Sequence, residues 1–240
     1  MSTKKEPAFE RPFVTVDLAI FTVREGELAV LLAQRPGTRE EPFPDAWALP
    51  GGFIDTKRDT DLLACARRKL KEKTGVESPY LEQLGSWGSR RRDPRGWSVT
   101  HCYFALMPSE DIELRAGANA QDVRWARIGR GESAVAERLA FDHATLLAAA
   151  LERLRNKVEY TSLPAFLLPQ EFTLSELQST YEIVLGRSVE KSAFRKRVQD
   201  ADLVEELSRQ RETGSRPAQL YRLRNRESPV YFPRTFSPRG

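Results

Sequence analysis

The segment Gly51–Val76, GGFIDTKRDTDLLACARRKLKEKTGV, constrains the fold of this chain more than any other stretch. Two adjacent glycines follow a short apolar strand pattern, and a polar loop leads from them into a helix predicted over Thr60–Thr74. Gly75 follows the helix at the position where a left-handed residue often ends one. The predicted apolar stripe of this helix consists of Leu62, Leu63, Ala66 and Leu70. The pattern is typical of a loop and helix in an α/β domain.

The flanking sequence adds sheet and helix patterns. Phe13–Arg35 is typical of a β-hairpin that turns at Gly26, because β-branched and apolar runs lie on both sides of REGE. VTHCYFALMP and QDVRWARI predict two more strands, and FDHATLLAAALERLRNK predicts an amphipathic helix. With 240 residues, of which 40% are hydrophobic, the chain is long enough for one large or two modest globular domains.

Composition also suggests a compartment. No apolar run approaches the roughly 20 residues of a membrane span, and the first residues, MSTKKEPAFERPF, lack the hydrophobic segment of a secretory signal. Cys65 and Cys102 are the two cysteines, and both lie in apolar runs. Such cysteines are expected to be buried thiols in a reducing environment. We therefore expect a cytoplasmic protein.

The end of the segment, RKLKEKTGV, resembles the box that defines the Nudix hydrolases. That box reads glycine, five residues, glutamate, seven residues, then Arg-Glu-apolar-X-Glu-Glu-X-Gly-apolar. Arg68, Glu72 and Gly75 match it, but Lys69 and Lys73 stand where the family has metal-binding glutamates. The loop is two residues longer than the consensus, so the early glutamate has no clear counterpart; Asp59 or Asp61 could approximate it. The resemblance implies a Nudix fold, an α/β arrangement with a mixed sheet sandwiched by helices.

The two lysines change the chemistry that such a site can perform. Mg²⁺ requires oxygen ligands, and an ammonium group has no lone pair to offer. We therefore expect no bound metal and no Mg²⁺-dependent hydrolysis, and we hypothesise that Lys69 and Lys73 hold a diphosphate in place of the metal. A solvated charged face is the structural alternative. The functional rival is an active ADP-ribose pyrophosphatase that uses Glu72 with Asp59 or Asp61.

Other candidate ligand residues lie around the box. Arg35 suits a phosphate, and Trp47 suits either an aromatic base or the core. Arg92 and Arg95 lie in RDPRGW, which resembles the ADP-ribose branch of the Nudix proteins, although a solvated basic turn is an alternative. The predicted ligand residues are Arg35, Trp47, Gly51, Gly52, Arg68, Lys69, Glu72, Lys73, Arg92 and Arg95.

After Pro169 the pattern changes to two helices and two strand-like segments. In FTLSELQSTYEIVLG, Thr173 and Glu176 form a capping box pattern, and Gly186 ends the helix. The predicted buried stripe is Leu174, Leu177, Tyr181 and Leu185. In the next helix Phe194 and Val198 face inward, four residues apart, so the polar residues between them face outward.

This order of elements favours a winged helix that reads duplex DNA. Arginine and glutamine reach base edges, whereas lysine and serine mostly contact phosphates. Six arginines lie between Ser208 and Arg226, against the single acid Glu212, around a hairpin tip TGSRP. This run favours an anion-contact patch over the alternative of a solvated face. The predicted DNA-binding residues are Lys191, Ser192, Arg195, Lys196, Gln199, Arg216 and Arg222.

Together the two halves resemble the NrtR family, the Nudix-related transcriptional regulators of NAD metabolism. The predicted domains are a ligand-sensing domain (1–157), a winged helix (158–226) and an irregular tail (227–240). The resemblance implies a homodimeric repressor of NAD synthesis or salvage genes that ADP-ribose releases from its operator. Relatives that sense sugars such as arabinose, and a winged helix that binds protein instead of DNA, remain alternatives.

Overall fold

The computed structural model describes residues 10–110, 112, 114, 120–129, 134–212 and 217–232. Its first domain is built on a seven-stranded mixed sheet. The strands are β1 (Phe13–Arg24), β2 (Glu27–Gln34), β3 (Trp47–Ala48), β4 (Gly51–Phe53), β5 (Tyr80–Ser89), β6 (Ser98–Leu106) and β7 (Asp122–Arg127). Their order is β3-β2-β1-β6-β5, with β4 also paired to β1 and β7 to β2. The β1–β6 pair is parallel, whereas the other pairs are antiparallel.

Two helices cover the two faces of this sheet, α1 (Leu62–Thr74) and α2 (His143–Val158). Side chains alternate between the faces of a strand, so β1 contributes to two separate cores. Val16, Leu18 and Ile20 pack with α1, whereas Ala19 and Phe21 pack with α2. A strand that is buried on both faces reads as a continuous apolar run, which explains residues 18–21 of β1.

The helix α1 begins two residues later than predicted, because Asp61 is its N-cap and accepts a hydrogen bond from the Ala64 amide at 2.7 Å. Leu62 and Leu63 are only half-buried, and Cys65 is fully buried in their place. Cys65 and Cys102 are both buried free thiols, as predicted. Burial raises the pKa of the Cys65 thiol to about 11, which keeps it protonated.

A 3₁₀ helix (Leu163–Leu167) leads from α2 into the second domain. That domain contains α3 (Leu174–Leu185), α4 (Lys191–Asp200) and the antiparallel hairpin of β8 (Val204–Arg211) and β9 (Ala218–Leu223). The capping box of Thr173 and Glu176 is present, and Gly186 ends α3 with φ of 70°. Leu177 and Tyr181 are buried as predicted, while Leu174 and Leu185 are half-buried.

The two domains share one apolar core. It extends from Phe21 and Phe104 in the sheet through α2 and Phe166 to Phe194 in α4. The predicted boundary at 157/158 falls on the last turn of α2, and the hairpin tip with Arg216 lies outside the described residues. No helix of the described residues is long and apolar enough to span a membrane.

Candidate ligand cleft and nucleic-acid interface

The glycine pair forms the floor of a cleft beside β1. A side chain at Gly51 would collide with Asp17 and would place its Cβ 2.6 Å from the carbonyl oxygen of Val16. Only glycine therefore allows β4 to approach β1 this closely. Gly52 has φ of +136°, and a Cβ built there would lie 3.1 Å from the Lys69 ammonium. Gly52 thus leaves room for this ammonium against the backbone of the turn.

Lys69, Glu72 and Lys73 are neighbours on the face of α1 that lines the cleft. Lys69 is only 8% exposed, Lys73 is half-buried and Glu72 is exposed. Desolvation lowers the pKa of the Lys69 and Lys73 side chains, because burial disfavours the charged ammonium. A phosphate beside them would offset this cost by supplying negative partners. The face is therefore suited to an anionic ligand.

Arg68 holds the loop that precedes α1. Its guanidinium donates two hydrogen bonds of 2.6 Å to the carboxylate of Asp59 and a third, of 3.1 Å, to Glu72. The hydrogen bonds from Arg68 hold the pKa of Asp59 far below its usual value. Asp61 is the N-cap of α1. Both acids considered as substitutes for the early glutamate are therefore occupied with structural contacts.

The side chains of the cleft do not fit Mg²⁺. Glu72 lies 3.1 Å from Arg68 and 3.6 Å from Arg58, and two lysines lie on the same helix face. Among the described residues, no group of three or more His, Cys, Asp or Glu side chains is placed to hold a metal ion. Because Mg²⁺ requires several oxygen ligands in a tight octahedron, this donor set does not suit it.

The cleft encloses a cavity of about 1010 Å³, which is large enough for a nucleotide sugar. Nine of the ten predicted ligand residues line it, and these are Arg35, Gly51, Gly52, Arg68, Lys69, Glu72, Lys73, Arg92 and Arg95. Trp47 does not line it. Its ring packs against the core and carries the guanidinium of Arg124 at 4.1 Å, so the interpretation of Trp47 as core describes its position.

Two phenylalanines that are not among the predicted ligand residues also line the cleft. Phe53 is 46% exposed, and the Arg95 guanidinium lies 5.3 Å from its ring centre. Phe141 lies 4.8 Å from the Arg35 guanidinium. Each arginine is also paired with a nearby acid, Asp93 for Arg95 and Glu41 for Arg35. The cleft lining therefore contains two pairs of an aromatic ring and a guanidinium.

A buried polar network lies at the base of the cleft. Arg92 donates to Asp142 at 2.9 Å and to Asp17 at 3.4 Å, so much of its hydrogen-bonding capacity is already used within the protein. The His143 Nδ1 accepts from the Leu49 amide at 2.9 Å, which leaves its proton on Nε2, 3.6 Å from Asp17. Burial raises the pKa of Asp17, but the hydrogen bonds from His143 and Thr100, together with the nearby charge of Arg92, outweigh burial, so the net pKa is lowered.

The helix α4 presents a polar surface. Phe194 and Val198 are buried, and Phe194 packs 5.2 Å from Tyr181, edge to face. Glu190 caps the helix by accepting from the amides of Ser192 and Ala193. The five predicted DNA-contacting residues of this helix are all exposed, and they are Lys191, Ser192, Arg195, Lys196 and Gln199. The structure therefore places them on one accessible helix, as a recognition helix requires.

The arginine run of the hairpin is less unbalanced than its sequence suggests. Arg222 pairs with Glu205, Arg209 with Glu171 and Arg211 with Glu176. Arg224 pairs with Asp202. These acids lie outside the run, so folding brings together charges that are distant or on the opposite strand. Such exposed pairs are weak and can open toward a stronger anion.

The two halves of the chain each match a known family. Residues 12–149 match the NUDIX domain, and residues 164–223 match the NrtR DNA-binding winged helix domain. The fold and the cleft thus define a class of proteins in which a Nudix domain is joined to a winged helix. Within that class, the chain belongs to the NrtR family. The expected Nudix fold and C-terminal winged helix are confirmed.

The similar proteins include a transcriptional repressor and a protein crystallised with DNA. The chain is 47% identical to the ADPR responsive transcriptional repressor NtrR of Acinetobacter baylyi, over 94% of this chain and 88% of that protein. It also resembles the crystal structure of Shewanella oneidensis NrtR complexed with a 27mer DNA, with a TM-score of 0.83 and 42% identity, over 93% of this chain and 99% of the other. The NUDIX domain of the same Shewanella protein, complexed with ADP ribose, gives a TM-score of 0.56 and 43% identity, over 63% and 94% of the two chains.

Proposed function

We propose that this chain is a homodimeric transcriptional repressor of NAD synthesis or salvage genes that acts in the cytoplasm. Its Nudix domain binds ADP-ribose without cleaving it, and this binding releases the winged helix from its operator. The observation that carries the proposal is that a cationic cleft and an exposed cationic helix lie on two domains that share one apolar core. The crystal structures of the Shewanella relative with DNA and with ADP ribose support the proposal that this chain binds the same two ligands.

In the cleft, the diphosphate lies against Lys69 and Lys73, and the backbone turn at Gly52 allows close approach. Both ammonium groups are partly desolvated, which strengthens their attraction to a phosphate. An ammonium can neutralise phosphate charge but cannot polarise a metal-bound water for attack. The ligand is therefore held intact, and its binding requires no divalent ion.

On the DNA, α4 enters the major groove. Arg195 and Gln199 have donors and acceptors that suit base edges, and Lys191, Ser192 and Lys196 suit backbone phosphates. The exposed hairpin residue Arg222 lies on β9 and contacts the DNA backbone once its ion pair with Glu205 opens. Two copies related by a twofold axis would read a palindromic operator.

A gel shift tests the proposal. The probes are duplexes from the DNA upstream of the gene for this chain and its neighbours, with and without ADP-ribose. We expect a shifted band of the protein–DNA complex. ADP-ribose should abolish this band, whereas arabinose should not change it. Absence of duplex binding at low salt would refute the proposal, and release by arabinose alone would assign a different signal.

A phosphate-release assay addresses the rival function. ADP-ribose is incubated with the full chain and Mg²⁺, and cleavage products are measured. We expect no turnover, because no carboxylate cluster suited to a metal occurs among the residues that the structure describes. Rapid Mg²⁺-dependent cleavage would favour an ADP-ribose pyrophosphatase instead.

A further inference from the structure

Residues 229–232 return to the junction between the two domains, and we call them the C-terminal strap. The Val230 amide donates to the Ser162 hydroxyl at 2.9 Å, and the Ser162 amide donates to the Val230 carbonyl at 2.9 Å. The Phe232 amide donates to the carbonyl oxygen of Tyr160 at 2.8 Å. Two backbone hydrogen bonds and one to a side-chain hydroxyl thus bind the strap to the residues that connect α2 with the 3₁₀ helix.

The strap places a buried aromatic ring beneath α4. Phe232 is only 6% exposed, and the Arg197 guanidinium lies 5.1 Å from its ring centre. Arg197 also donates a hydrogen bond of 3.3 Å to the carbonyl oxygen of Glu159, which is the C-cap residue of α2. A cation positioned over an aromatic ring is attracted to the face of the ring. A carbonyl at the C-terminal end of a helix is a favourable hydrogen-bond acceptor for arginine. Arg197 therefore joins α4 both to the strap and to the end of α2.

The other end of α2 lies at the ligand cleft. Its first residue, His143, lines the cavity and belongs to the network with Asp17. The helix has 16 residues, so about 24 Å of continuous helix separates the cleft from the Arg197 contact. A packed helix moves as a unit, so a shift of its N-terminal turn displaces Glu159 as well.

We propose that Arg197 and Phe232 are positioning residues that hold α4 in register with the end of α2. Through this contact the state of the cleft sets the placement of the recognition helix, and hence the affinity for DNA. The inference rests on the proposed function as a ligand-responsive DNA-binding protein. It assigns to Arg197 a role distinct from that of its exposed neighbours Arg195 and Lys196, for which we propose DNA contacts.

The experiment compares the full chain with Arg197→Gln and Phe232→Ala. The dissociation constant for an operator duplex is measured by fluorescence anisotropy with and without saturating ADP-ribose, and their ratio gives the coupling. We expect the variants to lower this ratio by about fivefold or more, within the usual range of allosteric coupling. Calorimetry on the DNA-free variants should give an ADP-ribose affinity within about twofold of the wild type, because the cleft is a helix length away.

Two further variants separate positioning from general stability. Tyr231→Ala alters the same strap at a side chain that is 61% exposed, and it should keep the wild-type coupling. Arg197→Lys retains a cation above Phe232 and should restore part of the coupling that Arg197→Gln loses. If Phe232→Ala does not fold, the exposed Arg197 variants decide the question alone.

The outcomes are distinguishable. If ADP-ribose does not change the affinity of the wild-type chain for DNA, the proposed function and this inference are both overturned. A responsive wild type with equally responsive Arg197→Gln and Phe232→Ala variants would overturn the positioning role alone.

Discussion

Replacing Lys69 by methionine should change ligand affinity and stability in opposite directions. Lys69 is 8% exposed, and its ammonium lies over the Gly52 backbone. Desolvation lowers the pKa of this side chain, so the charged form is disfavoured in the folded protein without a ligand. Methionine fills a similar volume with no charge to desolvate.

The two effects have different sizes. Loss of one charge-assisted contact to a phosphate costs about 1.5–3 kcal/mol, which weakens ADP-ribose binding by roughly 10- to 150-fold. Relief of the buried charge should raise the free energy of unfolding by about 1 kcal/mol. For a chain of this size that corresponds to a rise in Tm of about 2–4 °C.

Calorimetric titration with ADP-ribose and thermal unfolding without it measure the two effects. Lys71→Met is the matched control, because Lys71 lies on the same helix with a side chain 61% exposed. Lys71→Met should leave the affinity for ADP-ribose and the Tm nearly unchanged, because exposed ion pairs contribute little to stability. Unchanged ADP-ribose affinity in Lys69→Met, or a lower Tm, would refute the assignment of Lys69 as a desolvated phosphate ligand.

Three further results are expected. The affinity of the wild type for ADP-ribose should be highest below the lowered pKa of Lys69 in the ligand-free protein, because a bound phosphate stabilises the charged ammonium. The affinity should fall as the pH rises through that pKa. Lys69→Met should remove this pH dependence from the calorimetric profile. Asp17→Asn should lower the free energy of unfolding by about 3 kcal/mol near pH 7. The loss should be smaller in acid, because the lowered pKa of Asp17 stabilises the fold above the pKa of the unfolded state and this contribution disappears as the pH falls. Urea unfolding at several pH values measures the difference. Arg195→Ala should weaken DNA binding by about 1–3 kcal/mol and reduce discrimination at one base position, whereas Lys196→Ala should lower the salt slope of anisotropy titrations by about one.

Local sequence patterns were sufficient to predict much of this molecule. The β1–β2 hairpin, α1, α2 and the capping box of Thr173 were predicted because each depends on residues within a few positions of one another. The strand β5 was missed, since Gly85 and Gly88 interrupt its alternation and its neighbours are arginines of a turn. In the structure a bulge between Gln83 and Gly85 accommodates this irregular strand beside β6.

Features of the site that depend on long-range contacts could not be predicted. Asp17 meets Arg92 and His143 across 75 and 126 positions of the chain, and none of the three belongs to a local motif that predicts the contact. The orientation of Trp47 was equally open, because a two-residue strand has too little periodicity to assign a face. Sequence thus indicated which residue types the cleft contains, while the sheet topology decided which of them meet.

The apolar core that continues from the sheet into α4 limits how this architecture can be recombined. A winged helix transplanted onto another Nudix protein would leave Phe166 and the facing side of α2 without their packing partners. An interchangeable module would therefore have to include the second half of α2, the 3₁₀ helix and the strap. For the same reason the intact chain should unfold in a single cooperative thermal transition. Each isolated domain should expose an apolar surface that promotes aggregation.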